Sequence, residues 1–177
     1  LFAQHLGELC FRCDAKPAVT WRRDGPDALT KVLANNEPVG QWQIHRRSGK
    51  LPEFAVKADQ SDATDYEIVV AVPRENTATA GILYSHFPTD ITLPLPVVCH
   101  ATLELEQNRK HAQQKRACNE YVIAKLAEVL AEVAENVASS CADDPWAGCS
   151  LLMPSGGYPE ELTREKFPQT LISFARA

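Results

Sequence analysis

The stretch Leu83-Tyr84-Ser85-His86-Phe87-Pro88-Thr89-Asp90-Ile91-Thr92-Leu93-Pro94-Leu95-Pro96-Val97-Val98-Cys99-His100-Ala101-Thr102-Leu103-Glu104-Leu105-Glu106-Gln107-Asn108-Arg109 decides how this chain folds. Its first apolar residues run as a strand into Phe87-Pro88-Thr89. Pro94 and Pro96 then mark a crossing, because neither can donate an amide to a ladder. Val97 to Leu105 is apolar again, and Gln107-Asn108-Arg109 is a polar end. An arginine and an amide side chain at that junction are set to project from a braced loop.

The longest helical pattern of the chain follows directly. From Lys115 to Ser139, apolar Cys118, Val122, Leu126, Val129, Val133 and Val137 recur at spacings of three and four, while Lys125, Glu128, Glu132 and Glu135 line another face. Such a helix lays its apolar face on a sheet. Upstream, Ala18 to Arg23 reads as a strand carrying Trp21, and Gln41 to Arg47 alternates polar with apolar at Trp42 and Ile44. Glu67 to Val72 is a nearly continuous β-branched run, expected as a central strand, and Ile82-Leu83-Tyr84 enters the opening stretch.

Between these strands, Asp24-Gly25-Pro26-Asp27 is turn chemistry. Asp27 is expected to cap a short helix from Ala28 to Ala34, ended by Asn35-Asn36-Glu37-Pro38. Ser48-Gly49-Lys50 reads as a turn, Glu53 to Ala58 as a weakly pairing segment, and 59–65 and 75–80 as polar loops. The residues before Cys13 mix helical and strand spacing, which suggests a bend or turn of helix feeding a strand. After the long helix come loops at Cys141 to Gly148 and at Ser155-Gly156-Gly157-Tyr158-Pro159. A segment from Thr163 is interrupted by Pro168, and Leu171 to Phe174 starts a strand or a helix. The order predicts an α+β fold, a mixed β-sheet covered on one face by one long helix. Residues 1–140 form that domain, and 141–177 either complete it or begin another.

A net charge of −5 offers no general attraction to nucleic acid or anionic lipid. Arg22-Arg23 and His45-Arg46-Arg47 are the local basic stretches, read as scattered surface charge. No run approaches the roughly 20 apolar residues of a bilayer span, so no membrane association is expected. The chain begins at Leu1 without a signal-peptide pattern, so it is expected to be an excised piece of a longer cytoplasmic protein.

Six cysteines are present. Cys10-Phe-Arg-Cys13 is half of a zinc knuckle or a redox pair, but Cys141 and Cys149 stand too far apart to supply the matching half. Free, reduced thiols and no metal are the expectation. No G-x-S-x-G, H-E-x-x-H or EF-hand loop occurs, and Gly156-Gly157 lacks the G-K-S/T of a phosphate loop. His100 sits mid-strand, where packing explains it better than catalysis. Glu104 and Glu106 share one strand face, which a solvated surface explains. Arg109 remains: always charged, with a planar fork of donors that suits phosphate. By its residues alone, a surface ion pair at a helix start explains it better than a phosphate contact.

Leu83-Tyr84-Ser85-His86-Phe87-Pro88-Thr89, Leu95-Pro96-Val97-Val98-x-His100-Ala101-Thr102-Leu103-x-Leu105 and Asn108-Arg109 together resemble the region that follows the ATP-binding module in sacsin-like members of the GHKL ATPases. Leu1-Phe2-Ala3-Gln4-His5-Leu6 resembles the opening of that second module, and Asn119 suits its helix. The resemblance spans about Leu1 to Ser140. In the related ninety-kilodalton heat-shock chaperones, a middle-domain loop of pattern L-N-x-S-R reaches the γ-phosphate of ATP held by the preceding domain. The resemblance implies that Arg109 is that arginine and that Asn108 or Gln107 shapes the loop. Glu106-Gln107-Asn108-Arg109 departs from the pattern: it lacks the serine, and its amide stands at a different place.

The magnesium-binding Asn pattern and the D-x-G-x-G of the ATP-binding module do not occur; Asn119-Glu120 lacks the flanking residues. ATP and Mg2+ would therefore be bound by a preceding module, with this chain as its transducer-like partner, in an assembly open to homodimer formation. Two functions follow. One is a coupling domain that senses ATP through Arg109. The other is an interaction module for a protein or nucleic acid, with Arg109 structural. A third, a thiol hydrolase, needs Cys99 or Cys10 beside a histidine.

Overall fold

The computed structural model describes residues 8–13, 16–74, 81–141, 144 and 146–176. The described residues form an eight-stranded mixed sheet of order β1-β2-β3-β4-β5-β8-β6-β7. The strands are β1 (Glu8–Cys13), β2 (Lys16–Asp24), β3 (Thr30–Ala34), β4 (Glu37–Lys50), β5 (Asp65–Pro73), β6 (Gly81–Ser85), β7 (Phe87–Leu93) and β8 (Val98–Ala101). The helices are α1 (Glu53–Asp59), α2 (Ala117–Ser140), α3 (Ala147–Leu152), α4 (Glu160–Arg164) and α5 (Phe167–Ala175). The α+β expectation, a mixed sheet covered by one long helix, is what the structure shows. Leu1 to Leu6, Cys13 beyond its backbone, and the loop expected at 75–80 lie outside the described residues.

The central crossing follows the sequence closely. β6 and β7 form an antiparallel hairpin, and the Pro94-Leu95-Pro96 crossing carries the chain back to insert β8 between β5 and β6. β8 runs antiparallel to β5 and parallel to β6, which makes the sheet mixed. A crossing of this kind needs apolar contacts of its own, because its backbone lies outside the ladder. Leu95 and Val97 provide them, both almost wholly buried.

β5 is buried on both faces. Tyr66, Ile68, Val70 and Val72 join the main core, while Val69 and Ala71 pack with Ile44, Trp42 and Val98 on the opposite face. That two-sided burial is why its sequence reads as a continuous apolar run rather than an alternation. The main core closes between this strand, Leu83, Ile91, Leu93, Cys99 and Ala101 of the sheet and Val122, Ile123, Leu126 and Leu130 of α2. Each such aliphatic side chain contributes about 1.5–3 kcal/mol on full burial.

α2 buries more of its circumference than a single apolar stripe. Ala127, Ala131 and Ala134 are buried together with the periodic positions, because α1, α3 and α5 cover the flanks that the sheet leaves open. Gly148 permits the close approach of α3: a Cβ there would stand 2.2 Å from the Ala134 carbonyl oxygen. Leu162, Phe167 and Leu171 of α4 and α5 belong to the same core as α2.

Several local expectations are overturned. Ala28 to Ala34 is not a helix: only Asp27–Leu29 makes a single 3-10 turn, and Thr30 onward is β3. Asn35 and Asn36 both adopt left-handed backbone at φ 52 and 68, closing a tight β3–β4 hairpin. Asn tolerates that region, so the pair marks a hairpin rather than a helix end.

Ser48-Gly49-Lys50 does not turn; it continues β4, pairing with Glu67, Tyr66 and Asp65. Gly49 leaves room for the Tyr66 ring, whose Cε1 would lie 2.9 Å from a Cβ at that position. Glu53 to Ala58 lies in α1, with Ala55 wholly buried against the core and Glu53 paired with Lys57 at 3.2 Å. Pro168 does not interrupt a segment but sits in the first turn of α5, where its missing amide costs nothing.

Candidate functional site

Beyond Ala101 the chain leaves the sheet as a narrow antiparallel ribbon. Leu105 bridges Ala112, the Glu106 amide donates to His111 O at 2.9 Å, and the Gln113 amide donates to Glu104 O at 2.9 Å. At the tip the Arg109 amide donates to Glu106 O at 2.8 Å. The Asn108 carboxamide oxygen accepts the Lys110 amide at 2.8 Å, a side-chain turn that shapes the tip. Lys110 fastens the ribbon to β7: its carbonyl accepts the Asp90 amide at 2.8 Å, and its Nζ pairs with the Asp90 carboxylate at 3.1 Å.

Gln107, Asn108 and Arg109 are thus brought together, all exposed, at the tip of one turn. Arg109 has φ 57, in the left-handed region. Left-handed backbone costs a residue with a Cβ about 1–2 kcal/mol, a cost that Gly or Asn largely escapes. No carboxylate among the described residues pairs with its guanidinium. A side chain held at that cost and left without a partner is the kind of residue that concentrates at functional sites.

The base of the ribbon is locked by polar side chains, among them Asn119 and Glu104, to which the sequence assigned no such role. Asn119 of α2, buried at 3% exposure, accepts the Glu104 amide at 2.8 Å and donates to Glu104 O at 2.9 Å and Gln113 O at 3.0 Å. The Glu104 carboxylate takes the Arg116 Nε at 2.5 Å and the Ser61 hydroxyl. Arg116 also donates to the Asp59 carbonyl at 2.8 Å. Glu104 is therefore not half of a solvated carboxylate pair with Glu106; it is a structural anion inside a network.

One signal pointed there. Asn119 is a polar amide next to Cys118 on the buried stripe of an amphipathic helix, where an unpaired amide would be costly.

Arg46 and Arg47 of the second basic stretch are likewise committed to structure. Arg46 pairs with Asp27 at 3.0 Å, and Arg47 pairs with Glu128 at 3.1 Å and Glu132 at 2.5 Å, tying β4 to α2. Lys125 shares Glu128 at 2.5 Å. Glu128 and Glu132 belong to the polar face of α2 read from the sequence.

Among the described residues, Cys99 has no imidazole facing it. Cys99 and His100 are consecutive strand residues, so the thiol joins the α2-facing core and the imidazole points to the other face. Burial raises the Cys99 thiol strongly, and burial followed by Asp59 pushes Cys118 up to about 11. Burial, then the neighbouring His86, pushes His100 down to about 4. His100 Nδ1 accepts the His86 amide at 3.3 Å, so it is a packed, neutral histidine, as its mid-strand position suggested. No group of three or more His, Cys, Asp or Glu among the described residues is arranged to hold a metal ion.

The larger grooves lie elsewhere. One of about 570 Å³ runs between α2, α3 and α5, past Ala131, Ala134, Gly148, Leu152 and Phe174, and another of about 690 Å³ lies beside Val72, Pro96, Val137 and Leu151. Neither is lined by a ribbon residue. The ribbon can therefore offer one donor fork to a group presented from outside, and it forms no nucleotide pocket of its own.

Comparison of the chain with known protein families, with curated proteins and with solved structures finds no match. What fold and site define is an α+β domain that presents one arginine on a braced turn. No described helix is long and apolar enough to cross a membrane.

Proposed function

We propose that this chain is the transducer-like coupling domain of a GHKL-type, sacsin-like ATPase. In this reading Arg109 reaches ATP held, with Mg2+, by a separate ATP-binding module, and the sheet and α2 relay the nucleotide state. The observation that carries the reading is the exposed Arg109, without a carboxylate partner among the described residues, in left-handed backbone on a ribbon with a locked base. The ribbon's residues fit a single contact to a phosphate oxygen and supply neither an adenine pocket nor a metal site. A preorganised guanidinium beside the γ-phosphate would stabilise the charge that develops on its oxygens during transfer. The Asn108 turn sets the direction of the fork, and exposed Gln107 stands ready at the same contact.

Steady-state ATP turnover of this chain with its ATP-binding module, compared with Arg109→Ala, tests the reading. Arg109→Ala should lower turnover about a hundredfold, or about 3 kcal/mol of transition-state stabilisation, with ATP affinity little changed. Unchanged turnover removes Arg109 from the chemistry. It would favour an interaction module for protein or nucleic acid, a reading that the exposed Trp21, Ile82 and Phe87 support (41%, 41% and 60% exposed).

A further inference from the structure

The 104–113 ribbon is held at two levels. Its tip is fastened to β7 through Lys110 and Asp90, both exposed side chains in water. An exposed pair of that kind holds a loop weakly. Its base is fastened to α2 by Asn119, whose carboxamide uses both ends on the ribbon. Oδ1 takes the Glu104 amide, and Nδ2 spans the two strands by donating to Glu104 O and Gln113 O. Beside it, the space lined by Ile91, Ala112, Gln113 and Ile123 amounts to about 10 Å³. That is close to the least volume able to hold one water. Among the described residues, Arg109 itself is fixed by the hydrogen bond of its amide to Glu106 O within the turn.

We infer that Asn119 is the positioning residue for Arg109: it sets the distance and angle at which the guanidinium leaves the body of the domain. This rests on the proposed role of Arg109. Asn119 sits in α2, the element that packs on β5, β8, α1, α3 and α5. The ribbon is therefore tied to the most extensively packed helix of the fold, and a displacement of α2 moves the arginine with it. A misplacement of about 1 Å at a reacting centre can cost on the order of a hundredfold in rate, so loss of the clamp should be read in turnover.

The test is a double-mutant cycle of Arg109→Ala and Asn119→Ala on ATP turnover by the assembly of this chain with its ATP-binding module. Asn119→Ala should lower kcat at least tenfold with KM for ATP little changed, and should add almost nothing in the Arg109→Ala background. An Asn119→Ala effect that multiplies in full with Arg109→Ala, or no kcat effect, overturns the positioning role while leaving Arg109 in place. No effect of Arg109→Ala overturns the proposed function and this inference with it.

A second measurement keeps the inference testable if Asn119→Ala does not fold. Amide hydrogen exchange of the unsubstituted chain should show the Glu104 N–H protected to the level of interior α2 amides. Exchange there as fast as at the ribbon tip would also overturn the clamp.

Discussion

Asp59, the last residue of α1, caps α2 from outside: its Oδ2 accepts the Cys118 amide at 2.7 Å and its Oδ1 the Ala117 amide at 3.0 Å. These are donors of the first turn that have no intrahelical partner. The residue preceding the helix, Arg116, makes no side-chain cap of its own. Burial alone would raise the Asp59 carboxyl, but the two amides, with Arg116 nearby, hold it below the ordinary carboxylate range. The cap is also a joint, since Arg116 reaches from it to Glu104 at the ribbon base.

Removing that cap should cost stability. Asp59→Ala leaves two first-turn amides without their acceptor in a buried place, and should lower the unfolding free energy by about 2 kcal/mol. Urea denaturation followed by circular dichroism reads this directly. Asp59→Asn, which keeps one acceptor, should lose less.

The turn at Arg109 predicts opposite signs for stability and activity. Arg109→Gly relieves a left-handed backbone at φ 57, so it should stabilise the domain by about 0.5–1 kcal/mol, after the added flexibility of the unfolded chain is set against the relief. On the proposed role of Arg109, the same substitution should lose ATP turnover as fully as Arg109→Ala. A stabilised domain that kept its turnover would show the arginine to be incidental.

His100 makes stability depend on pH in a defined window. Burial, then His86, holds its folded pKa at about 4, well below the ordinary histidine value of about 6.5. Between those values the unfolded chain binds a proton on His100 that the native chain does not. Protonation therefore favours unfolding. The contribution is complete above about pH 6.5 and is lost as pH falls towards 4, at up to about 1.4 kcal/mol per pH unit. Denaturation at pH 7.5, 6 and 5 should show the decline, and His100→Gln should flatten it.

Phe167 tests whether the C-terminal helices belong to the core. It is wholly buried and meets Tyr158 edge-on at 5.6 Å between ring centroids. Phe167→Ala should cost about 3–5 kcal/mol, seen as a large drop in the midpoint of thermal unfolding. A loss under about 1 kcal/mol would mean that α4 and α5 are a dispensable appendage.

Much of the frame was legible because its signals are local. The apolar run of β5 announces burial on both faces, the three-and-four spacing of α2 announces an amphipathic helix, and Pro94 with Pro96 announces a crossing outside the ladder. The exposed tip, Gln107-Asn108-Arg109, was legible for the same reason, since polar residues between an apolar strand and a helix have no core to enter. Asn35-Asn36 was legible in principle as a hairpin turn. It was outweighed by Asp27 as the cap of a short helix over Ala28 to Ala34, a segment too short for periodicity to separate helix from strand.

By itself the sequence determined the α+β class, the central strands, the long helix and the turn that carries Arg109. Only the tertiary structure decided that Thr30–Ala34 pairs as a strand, that Ser48-Gly49-Lys50 continues β4 and that Glu53–Asp59 coils. Only it joined Asp59, Glu104, Arg116 and Asn119 into one network beneath the arginine. The reason is physical. Ladder partners and buried polar partners are chosen by which groups meet when the chain closes, and Asp59 meets its helix amides across 58 and 59 positions of sequence. No local pattern encodes a hydrogen bond of that span.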